Sequence, residues 1–265
     1  MKTILITGST DGIGKLTALK LAREGHQVYL HGRNAEKLAT TISEVKDIAK
    51  NEDIKGYVAD FSDLDSVKHM AQQISNDVSH IDILINNAGV YKSNISQTKN
   101  GVDIRFAVNY FAPYVLTRAL LPLLQNGQDT RLINLSSAAQ SAVSLEALLG
   151  QESISVGEAY AQSKLALTMW SFHMAKSVPD ITVIAVNPGS LLNTKMVKEA
   201  FGNHWSPADK GVDILYELAL SEDHKDASGT YFDNDKGYFG KAHPEAYNKR
   251  EIDQLIQVTD TFLMA

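Results

Sequence analysis

The chain reads as a doubly wound α/β fold, with a mostly or wholly parallel sheet of about seven strands flanked by helices. Three observations point there. Short apolar runs alternate with longer amphipathic stretches, the rhythm of repeated strand–helix units. The runs are continuously apolar rather than alternating, as strands covered on both faces should be. A glycine-rich turn, "TGSTDGIG" (7–14), stands at the first strand-to-helix junction.

The expected strands, in order, are "TILIT" (3–7), "QVYLH" (27–31), "IKGYVA" (54–59), "DILIN" (82–86), "RLINLS" (131–136), "TVIAVN" (182–187) and "GTYF" (229–232). Helical periodicity covers 13–24, 35–50, 63–78, 102–126, 158–177 and 207–220, where apolar residues recur at three- and four-residue spacing. No internal repeat, low-complexity tract or linker interrupts the 265 residues, so one domain over 1–265 is expected. The irregular stretches 137–157 and 189–206 directly follow strands. Ligands of such sheets bind beyond the carboxyl ends of the strands, so these stretches should wall a pocket, with a substrate lid at 190–206.

Composition narrows the function classes. A formal charge of −6 without any run of Lys or Arg argues against nucleic acid or an anionic membrane as partner. The absence of cysteine excludes disulfides and thiolate zinc sites, and the eight histidines lack paired ligand spacing, so no metal is expected. The apolar run at the start, before the glycines, is too short for a signal peptide or a membrane span. A cytoplasmic protein is the expectation.

The glycine turn carries the first chemistry. Gly8, Gly12 and Gly14 let the backbone bend tightly and approach a pyrophosphate, whose charge the N-terminus of the following helix favours. This is the setting of a Rossmann-type dinucleotide site. The second strand ends in Gly32-Arg33, where an arginine suits the 2′-phosphate of NADP and an acid would suit the 2′-hydroxyl of NAD. NADP(H) is therefore favoured and NAD(H) remains open, because Asp11 brings a negative charge toward the same phosphate. Asp60 could accept from the adenine amino group, while a helix N-cap is an equal reading for an Asp there or at Asp63.

The stretch "YAQSK" places Tyr160 one helical turn before Lys164. Such a pair is ordinary on a solvated helix face. Alternatively, the cation favours the phenolate, lowering a pKa that starts near ~10 and preparing the phenol for proton transfer. Pro113, inside the expected helix 102–126, has no N–H to give the carbonyl of Asn109.

Taken together, "TGSTDGIG", "NNAG" (86–89), "LSS" (135–137), "YAQSK" (160–164) and "NPG" (187–189) stand in the order that resembles the short-chain dehydrogenases/reductases. "SSAAQ", "SKLAL" and the late "SGTYFDNDKG" resemble the retinol-dehydrogenase-like branch, without the hydrophobic N-terminal anchor of many of its members. The resemblance implies Tyr160 as general acid/base and Lys164 as the ribose contact that lowers the tyrosine pKa. Ser137, rather than Ser136, would be the donor to the substrate oxygen. The carbonyl of Asn109 would hold a relay water.

The resemblance also implies cofactor contacts from Gly8, Ser9, Asp11, Gly12, Ile13, Gly14, Arg33, Asp60, Phe61, Asn87, Ala88, Gly89, Pro188, Gly189 and Thr194, besides Tyr160 and Lys164. The apolar Leu191, Leu192, Met196, Val197, Phe201 and Trp205 would either fold over substrate as a lid or pack a helix against the body. Tyr160 follows Ser137 by 23 residues, and the extra length around "SLEALLGQESISV" reads as a surface excursion.

The expected activity is hydride transfer between nicotinamide and a small to medium, partly apolar carbonyl or alcohol. The alternatives are an acyl-carrier-linked ketoacyl reductase, which the acidic balance disfavours, and a non-catalytic nucleotide-sensing protein on the same fold. Homodimers or homotetramers through 102–126 and 158–177 are usual in the family.

Overall fold

Asp11, Asn34 and Asp63 each precede an apolar-periodic stretch, and each begins a helix by accepting a main-chain N–H, from Gly12, Lys37 and Asp65 respectively. The computed structural model describes residues 1–264; Ala265, at the end of the expected domain, and the side chain of Phe201 lie outside the described residues. The strands are β1 (Thr3–Ile6), β2 (Gln27–Gly32), β3 (Ile54–Val58), β4 (Ile83–Asn86), β5 (Arg131–Leu135), β6 (Thr182–Asn187), β7 (Thr230–Asp233) and β8 (Tyr238–Gly240). The helices are α1 (Gly12–Arg23), α2 (Ala35–Ala49), α3 (Leu64–Asp77), α4 (Ile104–Phe106), α5 (Ala112–Gln125), α6 (Leu145–Leu148), α7 (Val156–Ser177), α8 (Lys195–Phe201), α9 (Ala208–Leu220) and α10 (Lys249–Met264).

All eight strands form one sheet in the order β3-β2-β1-β4-β5-β6-β7-β8. It is parallel from β3 to β7 and closes with an antiparallel β8. The architecture is the expected doubly wound, Rossmann-like one, with one strand more than the expected seven. β8 has only three residues after a tight turn, too few for a period-2 pattern to register. One core packs α1, α2 and α9 on one face, through Leu21, Leu38 and Leu215. The other packs α3, α5 and α7, through Met70, Leu120 and Trp170.

Two departures matter for the site. The stretch expected as one helix over 102–126 is α4, a π-helical turn over Ala107–Phe111, and α5. Ala112 N–H bonds the Ala107 carbonyl five residues back. Pro113 cannot continue the α-ladder to Asn109, and the helix widens into the π-helical turn ahead of the proline.

The second departure is α10, whose buried Ile252, Leu255 and Thr259 lie on one face. It covers the long helices: Tyr110 Oη and Thr259 Oγ1 are 2.8 Å apart, Tyr114 Oη donates to Asp260 Oδ1 at 2.7 Å, and Arg118 pairs with Asp260. Phe111 and Phe262 rings meet nearby at a tilt, with centroids 5.1 Å apart. An oligomer through 102–126 and 158–177 would have to form around this cover. Among the described residues no helix is long and apolar enough to cross a membrane, and no group of three or more His, Asp or Glu could hold a metal ion.

Candidate active site

Strand register brings the motifs together. Ile6, Ile85, Ile133 and Ile184 are level across β1, β4, β5 and β6, so the segments that follow them emerge side by side at one edge, where the strand order reverses between β1 and β4.

At this edge Gly8 and Gly12 have φ of +63° and +53°, in the left-handed region that glycine enters freely. Gly14 answers a different demand: a Cβ there would lie 2.4 Å from Asn87 Nδ2 and 2.7 Å from the Gly8 carbonyl oxygen. Asn87 Nδ2 donates to the Thr7 and Gly8 carbonyls at 2.8 and 3.0 Å, and Ala88 N–H donates to Thr7 Oγ1 at 3.0 Å. The Asn87 side chain thus laces the glycine turn to the loop after β4. Ser9 is buried and its hydroxyl donates to the Ile6 carbonyl while accepting from His31 N–H, so any ligand contact from Ser9 would be main-chain. Ile13 is likewise a core residue whose main chain belongs to the α1 N-terminus.

His31 escaped the sequence reading, because an apolar strand hides a histidine. Its Nδ1 accepts from Gly8 N–H at 3.0 Å and its Nε2–H donates to the Ala59 carbonyl at 3.0 Å. Burial pushes its pKa down to about 4, against the bond to Ala59, so the ring is neutral at pH 7 in the tautomer this pattern requires. Phe61 stacks on it with centroids 4.2 Å apart. The Phe61 ring is therefore core, so any cofactor contact from Phe61 would be main-chain.

Arg33 is exposed. Lys37, another residue the sequence reading missed, extends from α2 to Asp11 Oδ2 at 2.6 Å. Burial pushes the Asp11 carboxyl up, but hydrogen bonds from Lys37 and Gly12 outweigh it and hold the carboxyl below its usual range. Asp60 Oδ1 accepts from Ser62 N–H and Oγ at 2.9 and 2.8 Å, while Asp63 takes the helix cap.

Deeper in the cleft, Ser155 begins α7 by accepting from Glu158 N–H, and the helix carries Tyr160 and Lys164 one turn apart. Ser136 is consumed by packing, its hydroxyl lying 2.7 Å from Thr168 Oγ1 and donating to the Lys164 carbonyl. Ser137 Oγ instead accepts from Ala139 N–H at 3.1 Å and lies close enough to the Tyr160 phenol to draw its pKa down. Lys164 is buried; its ammonium donates to the Leu135 carbonyl at 2.7 Å and stands 5.7 Å from the Tyr160 ring centroid. Burial pushes Lys164 down to about 8. The same cause raises the Tyr160 phenol, opposed by Ser137 and reinforced by Tyr91, whose ring meets Tyr160 edge-on at 5.0 Å. Lys164 does not contribute the expected lowering of the phenol; its ammonium is bonded to the Leu135 carbonyl.

Asn109 lies in the π-helical turn, where its side chain exchanges hydrogen bonds with the Val90 main chain and donates to Ser163 Oγ at 3.0 Å. A Cβ on Gly89 would lie 3.3 Å from Asn109 Oδ1 and 3.4 Å from Lys164 Nζ, which keeps that loop against the lysine.

On the far wall, Asn187 Nδ2 donates to Asp233 and Asp235, Pro188 accepts from Asn234, and Ser190 N–H donates to Asp235 at 2.8 Å. Gly189 has φ +125°. Thr194 caps α8 by accepting from Val197 N–H, with its methyl 3.6 Å from the Cβ position of Gly12, so its hydroxyl is committed to the helix. Of the expected lid residues, Leu192 is core, and it bridges Ser206 to close the base of the excursion. Trp205 is 80% exposed to solvent.

Comparison with known proteins agrees with this arrangement. Residues 2–205 match the family described as short chain dehydrogenase. Retinol dehydrogenase 12 of Bos taurus is 32% identical over 97% of this chain and 85% of its own length. Retinol dehydrogenase 13 of Homo sapiens is 32% identical over 88% and 76%. A short chain dehydrogenase of Escherichia coli CFT073, complexed with NADPH, superposes with a TM-score of 0.73 at 27% identity, covering 88% of this chain and 96% of the other. The chain belongs to the short-chain dehydrogenase family of NAD(P)-dependent oxidoreductases, in its retinol-dehydrogenase-like branch.

Proposed function

We propose that this protein is an NADP(H)-dependent carbonyl reductase or alcohol dehydrogenase acting on a small to medium, partly apolar substrate, with Tyr160 as general acid/base. One observation carries the reading: Ser137 acts on the Tyr160 phenol, with the Lys164 ammonium 5.7 Å from the Tyr160 ring centroid, at the same sheet edge as the glycine turn. The residues there fit a dinucleotide. The space that a side chain would fill at Gly8 and Gly14 is closed by Ala88 and Asn87, so the turn stays bare backbone beside a helix N-terminus. Arg33 and Lys37 offer cations at the strand end, and the NADPH-complexed relative supports the same choice.

When bound, the nicotinamide supplies or accepts the hydride. In this reading the Lys164 ammonium holds the ribose hydroxyls, and Ser137 donates to the substrate carbonyl oxygen as negative charge develops on it. Tyr160 then gives that oxygen its proton. Its raised pKa keeps the phenol protonated at neutral pH, which suits the reductive direction. Lys164, at about 8, can pass a proton inward, and the Asn109 carbonyl ahead of Pro113 would hold the water that refills it. The segment 190–206 would fold over substrate, and relatives named retinol dehydrogenases support a partly apolar one.

The test is a panel of aldehydes and ketones, including nonanal and all-trans-retinaldehyde, offered with NADPH or NADH and followed at the nicotinamide absorbance band. Consumption of NADPH with at least one apolar carbonyl is expected. Tight nucleotide binding without turnover on any of them would favour the nucleotide-sensing alternative. Turnover confined to ketoacyl thioesters would favour the acyl-carrier one.

A further inference from the structure

The last ladder bond of β5 is Ser136 N–H to the Val186 carbonyl, so Ser137 is the first residue beyond the sheet's own restraint. Its carbonyl is nonetheless held twice, by Tyr231 Oη at 3.0 Å and by Gln140 Nε2 at 2.9 Å. A carbonyl has two lone pairs, and both are occupied. Gln140 is fixed in turn, its Oε1 accepting from His243 N–H at 3.0 Å. Tyr231 stands in β7, only 3% exposed, so its hydroxyl reaches Ser137 from a rigid strand.

We propose that Tyr231, assisted by Gln140, is a positioning residue: it fixes the Ser137 peptide plane and thereby aims the Ser137 hydroxyl at the substrate oxygen and Tyr160. The inference rests on the catalytic role proposed for Ser137. A side-chain oxygen one bond beyond Cβ swings with its peptide plane, and a displacement of about 1 Å at a reacting group can cost roughly a hundredfold in rate. Tyr231 touches neither substrate nor cofactor in this account, so its effect appears in kcat and leaves nucleotide affinity unchanged.

The experiment measures Tyr231→Phe and Gln140→Glu, each alone and in a Ser137→Ala background, with NADPH and the fastest carbonyl of the panel above. Gln140→Glu removes the donor to Ser137 but keeps the acceptor for His243, and it carries the test if Tyr231→Phe does not fold. The single variants should lose roughly ten- to a hundredfold in kcat, with the NADPH dissociation constant within about twofold of wild type. In the Ser137→Ala background the same substitutions should change the residual kcat less than about twofold, since coupled residues are non-additive. Full turnover in the folded single variants, or an undiminished loss in the Ser137→Ala background, would overturn the positioning role. Full turnover of Ser137→Ala by itself would instead overturn the role of Ser137.

Discussion

Lys37 Nζ lies 2.6 Å from Asp11 Oδ2, tying α2 back to the glycine turn. The pair answers the conflict between Arg33 and Asp11, because the carboxylate that would repel a 2′-phosphate is already countered by a cation. Both partners are half exposed, and an exposed pair is worth at most about 1 kcal/mol. Lys37→Ala should therefore lower the NADPH-over-NADH ratio of kcat/KM by up to roughly fivefold. Arg33→Ala should lower it more, by roughly ten- to a hundredfold, if the guanidinium makes a charge-assisted contact of about 1.5–3 kcal/mol. A ratio unchanged in both variants would show that neither cation meets the phosphate.

Reversing the preference with an acid at position 32 meets a steric obstacle. A Cβ on Gly32 would stand 2.4 Å from Thr10 Cγ2. Gly32→Asp should bind both nucleotides poorly unless Thr10 is shortened, and Gly32→Asp with Thr10→Ser and Arg33→Ala should favour NADH. Dissociation constants from NAD(P)H fluorescence for both cofactors check the pair.

Lys164 is held buried and charged at a cost to the fold. Its pKa falls from 10.5 to about 8, so the unfolded chain binds the proton more tightly than the folded one. Stability from this group therefore rises with pH between about 8 and 10.5. Lys164→Met should remove a penalty on the order of 3 kcal/mol at neutral pH, less what the Leu135 carbonyl loses with its donor. Thermal unfolding should show a more stable, inactive variant whose advantage shrinks from pH 8 toward pH 10. A variant less stable than wild type across that range would mean that the bond to Leu135 outweighs desolvation.

Much of this arrangement was legible because its signals are local. The glycine turn, Tyr160 with Lys164, and Asn109 with Pro113 each lie within a few residues of one another, and the strands announce themselves by unbroken apolarity. Ser137 was separable from Ser136 only through the family pattern; the structure adds the reason, since Ser136 is spent on Thr168. What escaped depends on distance along the chain. Lys37 meets Asp11 from the next helix, His31 joins Gly8 to Ala59 inside the sheet, and Tyr231 reaches Ser137 across 94 residues. No periodicity reports such pairs. Helix α10 could have been found from its spacing of Ile252, Leu255 and Thr259, but the π-helical turn could not, because Pro113 allows either a kink or a widened turn.

Gly12 and Gly14 should respond differently to alanine. At Gly12 the space is open to 3.6 Å but φ is +53°, whereas at Gly14 the new methyl would meet Asn87 and the Gly8 carbonyl. Gly14→Ala should lose about 1–3 kcal/mol by overpacking, together with nucleotide binding. Gly12→Ala should be the milder of the two in denaturant unfolding. Equal tolerance at both positions would mean that the loop after β4 is not laced to the glycine turn as described.

The central claim, that Tyr160 moves the proton, is tested most directly by kcat of Tyr160→Phe measured beside its NADPH dissociation constant. General acid–base catalysis contributes roughly 10²–10⁴-fold, so turnover on the best carbonyl should fall at least a hundredfold while NADPH binds within about threefold of wild type. Turnover above a tenth of wild type, with binding intact, would contradict it.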